Sequence, residues 1–141
     1  MKVPFLDLQR GYRERAAEID RCMQEVAASG AYVLGPHVSA LERAVAEHVG
    51  TRYAVGVGSG TDALHLALAA LEIGPGDEVI TTPFTFAATV EAIEYVGAQP
   101  VLVDVDSNDF NIDVERLEEA LTPKTRAVIP VHLFGLPADM G

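Results

Sequence analysis

The residues best suited to chemistry lie in a glycine-rich loop, residues 56–60, which holds three glycines and leads into an apolar helical pattern at Thr61. Glycines let a ligand approach the backbone closely. The first N–H groups of a helix have no internal partner, and they lie at the positive end of the helix dipole. Together these features are typical of a phosphate site. The hydroxyls of Ser59 and Thr61 can add hydrogen bonds to the same oxygens.

Three interpretations of this loop compete. Gly58, Gly60 and Ala63 fit the G-x-G-x-x-A fingerprint of a dinucleotide-binding fold. That fold also needs an acidic residue at the end of the next strand, where Pro83 and Phe84 stand instead. A glycine-rich turn that only connects a strand to a helix would not explain the hydroxyls at the helix start. The third interpretation is the phosphate-binding loop of a pyridoxal-phosphate enzyme.

An aromatic pair supports the third interpretation. Phe84 and Phe86 follow the predicted strand 78–82 directly, and a flat heteroaromatic ring needs an aromatic face stacked on it. Either ring is well placed to supply that face beside a phosphate loop. An aromatic residue at such a position is more often part of the core, so the pairing with the loop is what indicates a cofactor site.

A series of motifs runs along essentially the whole chain: Val3–Leu8, Tyr32–Pro36, Gly58–Leu64, Gly74–Thr81 and Pro130–Gly135. In order and spacing, these motifs resemble those of the DegT/DnrJ/EryC1/StrS family of sugar aminotransferases. The resemblance implies the fold-type I architecture of aspartate aminotransferase.

The same resemblance implies a cofactor, pyridoxal 5'-phosphate, and the residues that bind it. Gly60, Thr61 and Asp62 match the residues that hold the cofactor phosphate, and Phe86 matches the aromatic residue that stacks on the pyridine ring. Because a carboxylate repels a phosphate, we expect Asp62 to face the ligand through its N–H group.

Three further residues, Tyr32, Gly35 and His132, are weaker candidates for lining a substrate site. The segment that holds Tyr32 and Gly35 is similar to relatives that act on the third carbon of the sugar. His132 closes the last predicted strand, where a ligand contact and a purely structural hydrogen bond are both open interpretations. Asp104 and Asp106, at another strand end, are predicted to cap the chain there, and no metal site is expected.

The chain offers no suitable catalytic residue. Its only lysines are Lys2, at the terminus, and Lys124, in a turn before a strand. Neither is positioned like the lysine that pyridoxal chemistry needs. The resemblance implies that the Schiff-base lysine and the pyridine-binding aspartate both follow Gly141. We therefore expect an N-terminal fragment that is inactive as an aminotransferase by itself.

The activity implied for the full-length parent is transfer of an amino group from glutamate or glutamine to a nucleotide-linked keto-sugar. The resemblance places this activity in polysaccharide or antibiotic biosynthesis and implies a homodimer. A dehydratase variant, in which histidine replaces the lysine, stays open. So does a function of another class, a non-catalytic regulatory or interaction domain. The phosphate loop and the stacking aromatic favour the enzyme, because a regulatory domain has no need of both.

Composition and charge narrow the class of protein. The net charge of −11 lies wholly in residues 53–141, which hold only three basic residues, so no nucleic-acid-binding surface is expected. The single cysteine, Cys22, excludes an internal disulfide framework and suits a reducing compartment. No apolar run approaches the roughly 20 residues of a membrane span, and Met1–Leu8 lacks a signal-peptide pattern. We expect a cytoplasmic protein without a membrane partner.

A regular alternation of strands and helices must position these residues. Strands are predicted at 53–57, 78–82, 100–105 and 127–132, and helices at 12–28, 38–49, 61–72, 86–96 and 113–121. The alternation predicts an α/β fold of three layers, with a mostly parallel sheet covered on both faces, as in the N-terminal part of the fold-type I large domain. We expect an N-terminal helical segment over 1–52 and a partial cofactor-binding large domain over 53–141. Ligands of such sheets bind at the carboxyl ends of the strands.

Overall fold

The computed structural model describes residues 4–141. Residues 1–3 lie outside the described residues, and with them Lys2 and the first residue of the Val3–Leu8 motif. The chain divides into two compact units, the first ending at Gly56 and the second covering Val57–Gly141. The boundary expected from the sequence, after residue 52, lies slightly earlier.

The first unit opens with a long surface helix, α1, over Leu8–Ser29. Asp7 caps its start, because the Asp7 carboxylate accepts a hydrogen bond from the Arg10 N–H group at 3.1 Å. The helix is kinked at Arg15, where φ is −126° and ψ is 15°. None of its side chains is fully buried. The amphipathic surface helix expected over 12–28 is therefore present, and it starts about one turn earlier.

A second helix, α2, spans Pro36–Val49, as the apolar pattern over 38–49 predicts. Proline is favourable at its first position, because the N–H group there would have no partner inside the helix. Gly35 precedes the helix in an extended conformation, with ψ at 176°. The helix ends at Gly50, whose φ of 77° lies in the left-handed region that favours glycine.

Residues 53–57 form no strand, so the prediction of a strand there is wrong. A strand requires a hydrogen-bonded neighbour, and among residues 4–141 no segment pairs with this one. Side chains bond its backbone groups instead. The Thr51 hydroxyl donates to the Tyr53 carbonyl at 3.1 Å, and the Gly56 N–H group donates to the Glu42 carboxylate at 2.8 Å. Val55 is 78% exposed, so its apolar side chain is not part of a core here.

The second unit is built on a parallel sheet of three strands in the order β2-β1-β3. The strands are β1 (Glu78–Thr81), β2 (Gln99–Leu102) and β3 (Thr125–Val128). The predicted strands at 78–82, 100–105 and 127–132 are thus present but shorter. Pairing extends one residue beyond β2 and β3, since the N–H groups of Val103 and Ile129 donate to β1 carbonyls at 2.8 Å. Beyond those residues the chain turns away from the sheet.

Helices cover both faces of this sheet. They are α3 (Gly60–Ala70), α4 (Ala88–Tyr95) and α5 (Val114–Ala120). Successive residues of a strand point to opposite faces. Val79 is fully buried in a cluster with Leu68 of α3 and Ile93 of α4. Ile80 is fully buried in a second cluster, against which Leu117 of α5 packs. The alternation along β1 therefore produces the predicted three-layer α/β architecture.

Helix α3 is less buried than its composition suggests. It is apolar nearly all round, which predicts burial on every side, but Leu68 is its only buried residue and Leu66 is 50% exposed. The helix lies beside α4, where His65 packs edge-on against Tyr95 with ring centroids 5.8 Å apart. An apolar composition does not specify how many sides of a helix are covered.

The connections determine which residues share an edge of the sheet. Ile73, just after α3, shares a buried cluster with Val79 and with Ala98, which directly precedes β2. Helix α3 therefore ends at the amino edge and begins toward the carboxyl edge. Helix α4 follows the carboxyl end of β1 through residues 82–87. The start of α3 and the loop before α4 are thus brought to the same edge, where parallel sheets bind ligands.

Candidate functional site

Ser59 caps the start of α3. Its side-chain oxygen accepts a hydrogen bond from the Asp62 N–H group at 3.0 Å, and its carbonyl accepts one from the Ala63 N–H group at 3.1 Å. Its φ of −161° and ψ of 170° give the extended backbone that helix-capping residues adopt. The helix begins at Gly60, one residue before the predicted start at Thr61.

This cap leaves two donors for a ligand. The N–H groups of Gly60 and Thr61 have no acceptor among residues 4–141. They are adjacent at the positive end of the helix dipole, and with the hydroxyl of half-buried Thr61 they can hold an anion. The Asp62 N–H group, which we expected to face the ligand, is bonded to Ser59 instead. A serine at the capping position competes for the same donor, and that competition is the physical reason for the difference.

The loop glycines differ in the space around them. A Cβ atom added at Gly58 would lie 2.8 Å from Oδ2 of Asp62, so a larger residue there would displace that carboxylate. A Cβ atom added at Gly60 would meet no atom within 4 Å. The space at Gly60, next to two unbonded donors, is what a close approach by an anion requires.

The structure gives Phe84 and Phe86 different surroundings. The residue pattern alone left the choice between them open, and the resemblance implied Phe86. The Phe84 ring packs against two others, Phe110 at 6.0 Å and Phe134 at 6.4 Å between centroids. Phe86 is 78% exposed, and within residues 4–141 it belongs to none of the aromatic pairs. The loop before α4 therefore offers one unengaged aromatic face, that of Phe86.

Buried threonines hold this loop in place. The Thr81 hydroxyl donates to the Ile129 carbonyl at 2.9 Å, which ties β1 to the residue after β3. The Thr82 hydroxyl oxygen accepts a hydrogen bond from the Phe84 N–H group at 3.2 Å. Both threonines are at most 1% exposed. The turn that carries Phe86 is thus fixed to the carboxyl end of β1.

His132 lies beyond the end of β3 rather than within it. The residue is exposed, and its Nδ1 atom accepts a hydrogen bond from the Ala138 N–H group at 2.9 Å. The ring proton is therefore on Nε2. The structural hydrogen bond that was one of the two interpretations is present, and it leaves the Nε2–H group as a donor for a ligand.

Tyr32 and Gly35 belong to the first unit. Tyr32 is 69% exposed, and its hydroxyl donates to the Ala27 carbonyl at 3.3 Å, near the end of α1. Gly35 is buried, and a Cβ atom added there would lie 2.5 Å from the Ala31 carbonyl oxygen. No larger residue fits at this position. Steric crowding therefore explains why the residue is glycine, independently of any substrate.

Lys124 lies at the amino edge of the sheet. It directly precedes β3, and its carbonyl accepts a hydrogen bond from the Glu78 N–H group at 2.9 Å, at the start of β1. Phe86 follows the opposite end of β1. Lys124 is therefore remote from the candidate site, as its place in a turn suggests, while Lys2 lies outside the described residues.

Phe110 and Phe134 were not predicted as site residues, although Phe134 lies in the Pro130–Gly135 motif. Phe110 and Phe134 have φ values of 61° and 53°, in the left-handed region that bulky residues rarely adopt. Such conformations cost about 1–3 kcal/mol each. With Phe84, Leu133 and Leu136 they line an apolar cavity of about 280 Å³. The only sequence signal is Gly135 after Phe134, a pair that fits a turn with two positive φ angles.

The start of α3 and the loop before α4 bring the Gly60 and Thr61 donors and the Phe86 ring toward the same edge of the sheet. The model of the DegT/DnrJ/EryC1/StrS aminotransferase family matches residues 13–141. The chain belongs to this family. Its fold is that of the N-terminal part of a fold-type I aminotransferase large domain.

Two curated relatives show how similar known members are. One, named "Pleiotropic regulatory protein", from Geobacillus stearothermophilus, is 49% identical over 99% of this chain. Another, the UDP-N-acetyl-3-dehydro-alpha-D-glucosamine 3-aminotransferase of Acidithiobacillus ferrooxidans, is 50% identical over 98% of this chain. The chain spans 38% and 37% of the lengths of these two relatives.

Two solved structures share the fold over nearly the whole chain. The structure of S. venezuelae DesV in complex with a ketimine intermediate has a TM-score of 0.96 and 48% identity, covering 99% of this chain and 38% of that chain. The Bacillus subtilis protein ntda with bound cofactor PMP has a TM-score of 0.93 and 38% identity, covering 99% of this chain and 32% of that one.

Two features are absent from residues 4–141. No helix in this range combines the length and the apolar character that crossing a membrane requires. The same range holds no group of three histidine, cysteine, aspartate or glutamate side chains that could bind a metal ion.

Proposed function

We propose that the whole protein containing this chain is an aminotransferase that uses pyridoxal 5'-phosphate. It transfers an amino group from glutamate or glutamine to a nucleotide-linked keto-sugar. The donor becomes a 2-oxo acid, and the sugar carbonyl becomes an amine. One observation carries this proposal. In this member of the aminotransferase family, two unbonded helix N–H groups and an aromatic ring without a ring partner lie at the same edge of the sheet.

The described residues fit the phosphate and one face of the cofactor. The Gly60 and Thr61 N–H groups bind phosphate oxygens, and the Thr61 hydroxyl adds a third hydrogen bond. Phe86 stacks on one face of the pyridine ring and keeps water from it. Asp62 supports the loop through its hydrogen bond to Ser59. When bound, the cofactor supplies an electron sink that stabilises negative charge at the reacting carbon.

The substrate is proposed to be a nucleotide sugar with a keto group at its third carbon. Support comes from the relative from A. ferrooxidans, whose name specifies a UDP-linked 3-dehydro sugar and a 3-aminotransferase. Tyr32, Gly35 and His132 are proposed to line its site. His132 would contribute the Nε2–H group, since Nδ1 is already bonded to Ala138. The whole protein is proposed to be a homodimer. It is also proposed to work in the cytoplasm, a reducing compartment in which a free thiol such as that of Cys22 stays reduced.

A regulatory domain is the competing function, and the name of the G. stearothermophilus relative favours it. The two functions make different demands on the site. A catalytic protein must bind the cofactor and turn over substrate, whereas a regulatory one needs neither.

One labelling experiment distinguishes the two. The whole protein is incubated with pyridoxal phosphate, a UDP-linked 3-keto sugar and glutamate carrying labelled nitrogen; glutamine labelled at its α-amino group replaces glutamate in a parallel reaction. We expect the label to appear in an amino sugar detected by mass spectrometry. A protein that binds the cofactor but leaves the label in the donor would contradict the proposal.

A further inference from the structure

Three segments at the carboxyl edge meet through aromatic rings. The Phe84 ring, on the loop between β1 and α4, is tilted by 51° against Phe110 and by 60° against Phe134. Phe110 lies in the segment between β2 and α5, and Phe134 lies in the segment after β3. We call these three residues the phenylalanine triad. It joins the segments that follow all three strands of the sheet.

Hydrogen bonds join the same segments independently of the rings. The Asn111 side chain donates to the Pro137 carbonyl at 3.4 Å, which links the segment after β2 to the segment after β3. Asn111 is buried and Pro137 is exposed, so this bond is partly shielded from water. The Thr81 hydroxyl links β1 to the Ile129 carbonyl. Phe84 thus packs against two segments that are already fixed to each other and to the sheet.

The backbone of the triad supports a specific role for the packing. Phe110 and Phe134 both have positive φ, a conformation whose cost must be offset by the local turn hydrogen bonds of their segments and by the ring contacts. Phe84 contacts both rings, and it is two residues from Phe86 in the same loop. Phe84, which is 42% exposed, therefore has two ring partners, whereas Phe86 is 78% exposed and has none among residues 4–141.

We propose that Phe84 is a positioning residue for Phe86. The phenylalanine triad holds the loop before α4 in one conformation, so that the exposed ring of Phe86 is pre-set to stack on a flat heteroaromatic ligand. This inference rests on the proposed function for the identity of that ligand, pyridoxal phosphate. The part that concerns the loop itself does not depend on it.

The first test measures amide hydrogen exchange in the loop before α4 and the start of that helix, without cofactor. Phe84→Leu keeps an apolar side chain but removes both ring pairs. We expect amide hydrogen exchange at Thr89 and Val90, whose N–H groups bond to the Phe86 and Ala87 carbonyls, to become about tenfold faster, the factor that corresponds to loss of ring packing. Phe84→Tyr, which keeps the ring, should restore the wild-type rate. Tyr95→Leu, which removes the ring pair with His65 at the opposite end of α4, is the control and should leave exchange at Thr89 and Val90 unchanged. Equal exchange in Phe84→Leu and wild type would overturn the proposal.

The second test measures how the cofactor ring is oriented in the whole protein with pyridoxal phosphate bound. The visible circular dichroism of the bound pyridoxal phosphate is divided by the amount of cofactor bound. This ratio reports how rigidly the cofactor ring is oriented, and it does not depend on how much protein is folded. We expect Phe84→Leu and Phe86→Leu to lose most of this signal, and Phe84→Tyr and Tyr95→Leu to keep it. If Phe86→Leu loses the signal and Phe84→Leu keeps it, Phe84 does not position Phe86. If the wild type binds no cofactor, the proposed function fails, and the exchange measurement still decides the role of Phe84.

Discussion

The side-chain oxygen of Ser59 accepts a hydrogen bond from the Asp62 N–H group at 3.0 Å, and this contact divides the donors at the start of α3 into two kinds. The N–H groups of Asp62 and Ala63 are bonded to Ser59. Those of Gly60 and Thr61 have no acceptor within residues 4–141. The loop is therefore stable without a ligand and still presents two donors to one.

Ser59→Ala and Ser59→Asp separate capping from anion binding. Loss of the cap in Ser59→Ala should lower the free energy of unfolding by about 0.5–2 kcal/mol. Ser59→Asp keeps a capping oxygen and should keep stability, but its negative charge should weaken phosphate binding at the adjacent N–H groups. Urea unfolding and titration with pyridoxal phosphate measure the two effects. Wild-type affinity in Ser59→Asp would show that the ligand phosphate is not bound here.

Gly60→Ala tests the space beside those donors. Since an added Cβ atom meets nothing within 4 Å, the fold should tolerate it. Restriction of the unfolded chain should leave stability equal to the wild type or about 0.4–1 kcal/mol higher. Binding of pyridoxal phosphate should weaken, because the methyl group occupies the approach to the backbone.

Gly58→Ala is the matched control for that variant. Its Cβ atom would lie 2.8 Å from Oδ2 of Asp62, the far end of an exposed and flexible side chain that can rotate away, so the fold should tolerate this variant as well. Because the added methyl group does not occupy the space at Gly60, cofactor affinity should stay near that of the wild type. Thermal unfolding and cofactor titration of both glycine variants provide the comparison. A Gly60→Ala protein that is as stable as the wild type and binds the cofactor equally well would contradict the assigned site.

The hydrogen bond that the Asp106 carboxylate accepts predicts a loss of folding stability in acid. Its carboxylate accepts a hydrogen bond from the Asn108 N–H group at 2.7 Å, and this bond lowers the pKa of Asp106 below its usual value of 3.8. The group therefore contributes stability above pH 3.8, and that contribution is lost as the pH falls through the folded pKa.

Asp106→Asn should remove this part of the pH dependence, because asparagine keeps an acceptor oxygen but does not titrate. Urea unfolding at a series of pH values below neutrality measures the difference between the two proteins. An NMR titration that gives Asp106 a pKa at or above 3.8 in the folded protein would show that the bond to Asn108 has no such effect.

Local patterns predicted much of the fold, and non-local contacts account for what they missed. The strands at 78–82, 100–105 and 127–132 and the helices between them are recognisable because apolar periodicity and capping residues act within a few positions. Residues 53–57 have the same apolar character but no pairing partner in the described chain, and periodicity carries no information about partners.

The same limit applies to the candidate site. The glycine-rich loop was visible in the sequence because glycine, serine and threonine act through their own backbone and hydroxyl groups. The resemblance already implied Phe86 as the stacking ring, but the surroundings of Phe84 were not visible, since they depend on Phe110 and Phe134, which are distant along the chain.

The most direct test of the account is the affinity of the whole protein for pyridoxal phosphate in Phe86→Ala compared with Phe84→Ala. Phe86 is largely exposed, so its removal should change the free energy of unfolding by less than about 0.5 kcal/mol. The lost stacking, about 0.5–1.5 kcal/mol, should weaken cofactor binding about two- to tenfold. Phe84→Ala should destabilise the fold, because it removes two ring contacts. Unchanged cofactor affinity in a fully folded Phe86→Ala protein would contradict the assignment of this edge of the sheet as the cofactor site.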